Sequence, residues 1–299
     1  MQTPFAAVQI PAASDRAQQR PDLPMLLALS VQWDDCSVAL GTRERVTSEV
    51  WSGQPERDGG KTGVHAGAFA SRDALALLDR LLLRTDTALS TVDQLCFARG
   101  PGAFTSLRVA AGLIQGLSLA TSIPVAGICS LAAMAAQDPG WSSTGPEEAP
   151  WLQLSAVDAR MGECYFGLHE CRAGHHPEPI TAPAVGPPAQ AVAVFELTLE
   201  QRRSHRGKIR IVPAGNGFSL LPELGAWAER HGFEPREAAR YSATAEAVLA
   251  VAASIGAPAA GPARTALPVY IRDKIALDVD EQRAGAAARA LAGAGKSPA

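Results

Sequence analysis

Hydrophobic and polar positions fall into two alternating regimes along this chain. Met25 to Val31 (MLLALSV) is an apolar run of strand length, the mark of a buried strand. Cys36 to Leu40 and Val46 to Trp51 repeat that signal, with Asp34 and Asp35 in the first turn. Three successive strands predict an antiparallel meander. Gln54 to Ala68 is Gly-rich and reads as loop. The period then lengthens. Leu75, Leu78, Leu81 and Leu82 fall on one face of a helix, with Ser71 as its N-cap and Asp73 in its first turn. Val92 to Ala98 is the next strand. A Gly-Pro-Gly turn, a helix from about Thr105 to Ala120, the strand Val125 to Cys129 and a further helix near Ser130 follow.

Residues 137 to 150 are rich in Pro, Gly and Ser, which marks a loop and the boundary between two domains. Beyond it, Trp151 to Val157 and Cys164 to His169 read as a hairpin around the turn Asp158–Glu163. Gly174 to Gln190 is Pro-rich and expected to be irregular. Ile209 to Pro213 is a strand ending in the turn Ala214-Gly215-Asn216-Gly217, and Ser242 to Ile255 is a helix that Ser242 or Thr244 can cap. Each half opens with a strand pair and continues as mixed strand and helix, the pattern of a duplicated α/β fold. The expected organisation is a flexible leader over 1–24, an N-terminal subdomain over 25–140, a C-terminal subdomain over 150–278 and a flexible tail over 279–299.

One helix breaks an ordinary rule. Gly112 and Gly116 lie inside the 105–120 segment, followed at the same spacing by Ala120. An interior Gly costs about 1 kcal/mol relative to Ala. Two on one face imply close approach by another backbone. Either the helix lies close on its own sheet, or it receives a helix from another chain while Val109, Leu113 and Leu117 bury against the sheet. The preceding turn, Gly100-Pro101-Gly102 with Thr105, also has two readings. It is a phosphate cradle at a helix N-terminus, or a tight connection in which Thr105 caps the helix. Arg108, one turn further, has no role that the pattern assigns.

Composition narrows the functions. The 299 residues carry a formal net charge of −3, which supplies no basic footprint for autonomous nucleic-acid binding. The run Arg202, Arg203, His205, Arg206, Lys208, Arg210 reads first as a solvated loop before a strand. The five cysteines Cys36, Cys96, Cys129, Cys164 and Cys171 are scattered without a CxxC pair, which points to a reduced, cytoplasmic setting. The N-terminus lacks the pattern of a signal peptide, and no apolar stretch is long enough to span a membrane.

Asp158-Ala159-Arg160-Met161-Gly162-Glu163 sets two carboxylates and a guanidinium in one turn. These fit an acid/base pair or a hairpin turn with an internal ion pair. His175-His176 lie in a Pro-rich loop without partner ligands at metal spacing. Neither a GxSxG nucleophile elbow nor an HExxH metal motif is present.

The segment FARGPGAFTSLRVAAGLIQGLSLATSIPVAGICSLAAM (Phe97–Met134) resembles the hallmark block of the TsaB (YeaZ) family. LLALSVQWDDCSVAL resembles that family's first hairpin, DARMGECYFG its DARMGEVY turn, and PVYIRDKIAL its C-terminal P-x-Y-x-R segment. The four matches run in the family's order. The resemblance implies an actin-like ATPase (ribonuclease-H-like) α/β fold, two related subdomains with mixed sheets flanked by helices. It implies a non-catalytic organising subunit in bacterial threonylcarbamoyladenosine synthesis. The partner TsaD would bind nucleotide and metal and modify the adenosine beside the tRNA anticodon, and the ATPase TsaE would join the pair. This chain alone would bind no cofactor, and tRNA would be met through the complex. Self-association into a homodimer is the expectation when TsaD is absent. The family's partner contact maps onto Leu75, Leu78, Leu82, Arg108, Gly112, Gly116 and Ala120. Gly100, Pro101, Gly102, Thr105, Asp158, Arg160 and Glu163 fall in its structural motifs.

Departures matter as well. Where the family's first strand usually ends in Asp-Thr, this chain has Ser30-Val31. Ser30 lacks the charge that places metal and phosphates in actin-like ATPases, which argues against a stand-alone ATPase or kinase. His65 has no histidine four residues on, where Phe69 stands, so TsaD's metal pair is missing. A glycoprotease-type peptidase would need such a pair or an activated nucleophile. Within the turn motif, Ala103 and Ser106 replace Ser and Gly.

Overall fold

The computed structural model describes residues 23–32, 35–52, 66–142, 149–203, 209–255 and 260–272. Residues 1–22 of the expected leader, the loop around His65, Asp34, residues 143–148 of the 137–150 loop and the tail lie outside these residues.

The first sheet has the order β3-β2-β1-β4-β5. Its strands are β1 (Leu26–Val31), β2 (Asp35–Gly41), β3 (Val46–Ser52), β4 (Gln94–Gly100) and β5 (Val125–Cys129). β1, β2 and β3 form the antiparallel meander read from the apolar runs, whereas β4 and β5 run parallel to β1. Parallel neighbours need crossover connections. Helix α1 (Ala66–Arg84) links β3 to β4, and α2 (Phe104–Thr121) links β4 to β5. Strand pleating sorts the side chains by face. Leu27, Leu29, Val31, Val38, Leu40, Leu95 and Phe97 pack against α1 and α2. Leu26, Ala28, Ala39, Cys96, Ala98, Ala126 and Ile128 form the opposite core.

The second sheet carries the hairpin β6 (Trp151–Arg160) and β7 (Glu163–Cys171), with β8 (Glu178–Pro179) and β9 (Ala184–Gly186) on β7 and β10 (Arg210–Ala214) parallel to β6. Short helix α3 (Ser130–Ala133) follows β5, and α4 (Pro188–Arg203) precedes β10. After β10 come α5 (Gly217–Leu220), α6 (Pro222–Arg230) and α7 (Pro235–Ala238). Leu152, Leu154, Phe166 and Leu168 bury one face of the sheet against Phe195, Phe218 and Trp227. The other face holds Gln153, Ser155 and His169, all buried. Gln153 Nε2 donates to the Leu131 carbonyl at 2.7 Å and to Ser155 Oγ at 2.8 Å.

The last helix, α8 (Ala245–Ser254), is capped by Thr244, whose Oγ1 accepts from Ala247 N at 3.2 Å. Val248, Leu249, Val251 and Ala252 join the Leu26–Ala28 core of the first sheet. The sequence assigned this helix to a C-terminal subdomain; its apolar residues pack on the N-terminal sheet instead, covering the apolar second face of that mixed sheet. Both sheets belong to one compact unit that ends at Val269, and the chain from Tyr270 onward is a second unit.

Other local expectations need correction. α1 begins at Ala66, so Ser71 is interior rather than the N-cap and Asp73 is not in the first turn. The 174–190 stretch contributes β8, β9 and the start of α4, where irregular chain was expected. Pairing with β7 supplies the order that local sequence lacks.

Candidate functional site

Helix α2 presents two unlike faces. Leu107, Ala110, Ala111, Ile114 and Ser118 are buried, and Val109, Leu113 and Leu117 pack at their margin. The line expected to meet the sheet is therefore rotated by about one position. Arg108, Gly112, Gly116 and Ala120 are exposed, and Leu119 beside them is 76% exposed. A Cβ added at Gly112 or Gly116 would meet nothing within 4 Å. The glycines thus do not serve packing on the chain's own sheet, which disposes of the first of the two readings of the stripe. The Arg108 guanidinium lies 3.8 Å from the centroid of the Phe104 ring, one turn back.

Helix α1 lies alongside. Ala74, Leu77 and Leu81 are core, and Leu78, at 5% exposure, is core as well. Leu82 is half-buried, whereas Leu75 is 46% exposed and Leu83 81%. Leu75, Leu78, Leu113 and Leu117 line a small, shallow apolar groove between the two helices, with Leu27 and Leu29 also in its lining. Of the seven candidate interface residues, Leu75, Arg108, Gly112, Gly116 and Ala120 thus share an accessible surface. Leu78 is a correction: it lines the groove from the core and is no free contact. Leu119 extends the surface, and the sequence reading missed it because exposure of a single Leu leaves no periodic signal.

The Gly-Pro-Gly turn is a packed connection. Gly100 has φ +117°, and a Cβ there would stand 2.8 Å from the Val269 carbonyl oxygen. Val269 N donates to Arg99 O at 2.7 Å, so the Pro268–Val269 end of the unit lies on this turn. Pro101 is buried, and Gly102 rests against Leu107. The helix begins at Phe104 with Ala103 as its uncapped N-cap residue; Thr105 is inside the first turn and makes no cap.

At the second hairpin, Arg160, Met161 and Gly162 all have positive φ. Asp158 Oδ1 accepts from Arg160 N at 3.0 Å, its Oδ2 stands 3.6 Å from the Arg160 guanidinium, and Arg160 and Glu163 are register partners across the β6–β7 turn. Asp158 N donates to Asn216 Oδ1 at 3.0 Å, which fastens the hairpin tip to the β10–α5 turn. The internal ion pair is the arrangement found. Asn216 is a fastener that the sequence offered only as part of a glycine-rich turn.

Ser30 is buried, and its hydroxyl donates to the Ala243 carbonyl; Gln32 Nε2 donates to Ser30 Oγ at 2.9 Å. Burial pushes the thiols of Cys96, Cys164 and Cys171 up to about 12, and Cys129 is raised for the same reason, so these sulfurs are held protonated and poorly nucleophilic. His175 and His176 lie between β7 and β8, outside helix and strand, and no group of three or more metal-ligating side chains occurs among the described residues. Arg202 pairs with Glu170 at 3.0 Å and Arg210 with Asp138, while His205, Arg206 and Lys208 lie outside the described residues. No helix among the described residues is long and apolar enough to cross a membrane.

Comparison with known proteins establishes the family. Residues 57–216 match the family model of TsaD, tRNA N6-adenosine threonylcarbamoyltransferase. The tRNA threonylcarbamoyladenosine biosynthesis protein TsaB of Escherichia coli K12 is 30% identical over 206 residues, 68% of this chain and 80% of that protein. The chain belongs to the TsaB (YeaZ) family. The TsaB of Haemophilus influenzae is 36% identical over 143 residues, 47% of this chain and 52% of its own length. The crystal structure of YeaZ from Pseudomonas aeruginosa superposes with a TM-score of 0.58 at 27% identity, covering 83% of this chain and 100% of that one. The fold is accordingly the actin-like, ribonuclease-H-like α/β fold. The relatives matched at 30% identity or more over the two longest spans are TsaB proteins.

Proposed function

We propose that this chain is the non-catalytic, organising subunit of the tRNA N6-threonylcarbamoyladenosine transferase complex. It docks a TsaD-type transferase on the surface of α1 and α2, and that partner modifies the adenosine beside the anticodon. The observation that carries the reading is the empty space over Gly112 and Gly116, beside an apolar groove between α1 and α2. Glycine costs helix stability, and among the described residues no contact offsets that cost. A partner helix approaching at the glycines does.

The transferring chemistry belongs to the partner subunits, which hold the ATP and the metal, with TsaE as the third component. The tRNA meets the assembly rather than this chain alone, in keeping with the chain's slightly acidic balance. The exposed α1–α2 surface also supports a homodimer when the transferase is absent, and the scattered free cysteines support a cytoplasmic location. A stand-alone ATPase is disfavoured by Ser30, which brings no charge to the end of β1 and spends its hydroxyl on Ala243.

The test is co-purification of the full chain with its cognate TsaD, with and without tRNA and nucleotide. Stable capture at micromolar concentration is expected. No association under any of those conditions would end this reading.

A further inference from the structure

Strand β5 is the last of its sheet, and its outer edge is met by the chain's own far end. Val125 N donates to the Gly261 carbonyl at 2.8 Å, and Gly261 N donates to Val125 O at 2.9 Å. From that edge the chain crosses to the side of the sheet that carries α1 and α2. A single 3₁₀ turn at Ala263–Thr265 delivers Ala266, 1% exposed, into the core those helices share. Gln115, on the flank of α2, donates from Nε2 to the Ala266 carbonyl at 2.9 Å. Val269 N then reaches Arg99 O, shortly before α2 begins. The 261–269 segment therefore runs along α2 in the opposite direction, from the end near β5 to the end near β4.

Helix α2 is thus the middle of three elements on this side of the sheet. α1 borders it at Leu113 and Leu117, and the 261–269 segment borders it at Gln115. The exposed stripe of Gly112 and Gly116 lies between the two borders. On the Gln115 flank, Leu119 is 76% exposed, and Leu267, next to Ala266, is 61% exposed. Large apolar side chains gathered in water on one flank mark a contact surface. The charge there is one-sided. Neither α2 nor residues 261–269 contain an Asp or Glu; their charged residues are Arg108 and Arg264, both exposed. α1, by contrast, exposes both Asp79 and Arg80.

We propose that residues 264–267 are a third wall of the docking surface, contacted by the same transferase that packs on α1 and α2. Leu267 supplies apolar contact, and Arg264 pairs with a carboxylate of that partner. The assignment rests on the docking reading above and adds to it a border that selects by charge. Gln115 is a positioning residue: its hydrogen bond holds Ala266, and with it the wall, against α2. The partner's side of this border is acidic, because a basic one would face Arg108 and Arg264 with no carboxylate on either element to offset the repulsion.

Titration of the full chain with its cognate TsaD tests it. Leu267→Asp is expected to raise Kd about tenfold or more. Arg264→Glu is expected to raise it about fivefold or more at low salt, with most of that difference gone at about 1 M, where the Debye length is about 3 Å. Leu197→Asp, at a leucine 57% exposed on α4, is expected to bind as wild type does. Both Leu267→Asp and Arg264→Glu binding within about twofold of wild type would overturn the third wall and leave docking on α1 and α2 standing. An Arg264→Glu effect that salt does not diminish would overturn the charge pairing. Absence of wild-type binding would instead end the docking reading, and the wall with it. If Leu267→Asp does not fold, hydrogen exchange on wild type decides: the Ala266 and Leu267 amides are expected to slow by about threefold or more when TsaD is added, and no slowing would overturn the wall.

Discussion

Asp138 and Arg210 lock together where the two sheets meet, the guanidinium nitrogens contacting the two carboxylate oxygens at 2.6 and 2.9 Å. Asp138 is almost wholly buried, whereas the arginine is half exposed and lies 4.9 Å from the centroid of the Trp151 ring. Asp138 Oδ1 also accepts from Gly140 N at 2.9 Å. One side chain thus ties β10, the 137–141 segment and Tyr241.

Removing that carboxylate should cost more than a surface ion pair does. Asp138→Ala strips partners from Arg210, Gly140 N and Tyr241, and a loss of about 2 kcal/mol is expected in urea unfolding, discounted for the solvent around the arginine. Asp138→Asn, which keeps an acceptor for Gly140 N, should lose less. Equal stability of Asp138→Ala and wild type would show the pair to be ornamental.

The glycine stripe allows a sharper experiment. Gly116→Ala should raise the stability of the isolated chain by about 1 kcal/mol, since the methyl meets open space and the helix gains propensity. Gly116→Leu should fold equally well yet weaken TsaD capture, because overpacking a close helix contact costs about 1–3 kcal/mol, roughly 5- to 150-fold in Kd. Unfolding by Gly116→Leu would mean that the helix packs on its own sheet after all.

The turn glycines should behave in the opposite way. Gly215 has φ +106°, and a Cβ there would overlap the Ala156 carbonyl oxygen at 2.2 Å; at Gly217 the corresponding distance is 2.8 Å. Gly215→Ala is expected to destabilise the chain by about 2 kcal/mol or more. Thermal unfolding checks it, with Gly112→Ala as the control that goes the other way.

Acid should loosen the second sheet through His169. Burial, and secondarily His176, hold its pKa down at about 4 against an ordinary value of 6.5. The unfolded chain therefore binds the proton more readily between those values. The stability that the neutral ring provides is complete above about pH 6.5 and falls as pH drops toward 4, by about 3 kcal/mol in all. Unfolding free energies measured from pH 7 to 4 should show this slope, and His169→Gln should flatten it. An unchanged slope in His169→Gln would assign the acid sensitivity elsewhere.

Elements with strong local patterns were legible in the residues. The α2 helix, expected over 105–120, spans Phe104–Thr121, and β5 runs over Val125–Cys129 as read. The two-residue β8 and three-residue β9 were not legible, because strands that short have no period and exist through pairing with β7. The Thr244 cap was readable, but where α8 packs was not: an alanine-rich helix states that it is buried, not against which sheet. The same limit shaped the candidate surface. Spacing alone drew Leu75 and Leu78 together, yet the first faces solvent and the second the core, since residues three apart on a helix differ by some 60° in direction.

Placement of α8 on the first sheet also sets an order of events during synthesis. The sheet's strands are complete when Cys129 has been made, but the helix that covers Leu26, Ala28 and Ala126 ends at Ser254. At about 5–20 residues per second the ribosome needs roughly 6–25 s to cross that interval. Throughout it an apolar sheet face waits uncovered outside the exit tunnel, which makes the nascent chain, rather than the finished protein, the form most in need of a chaperone.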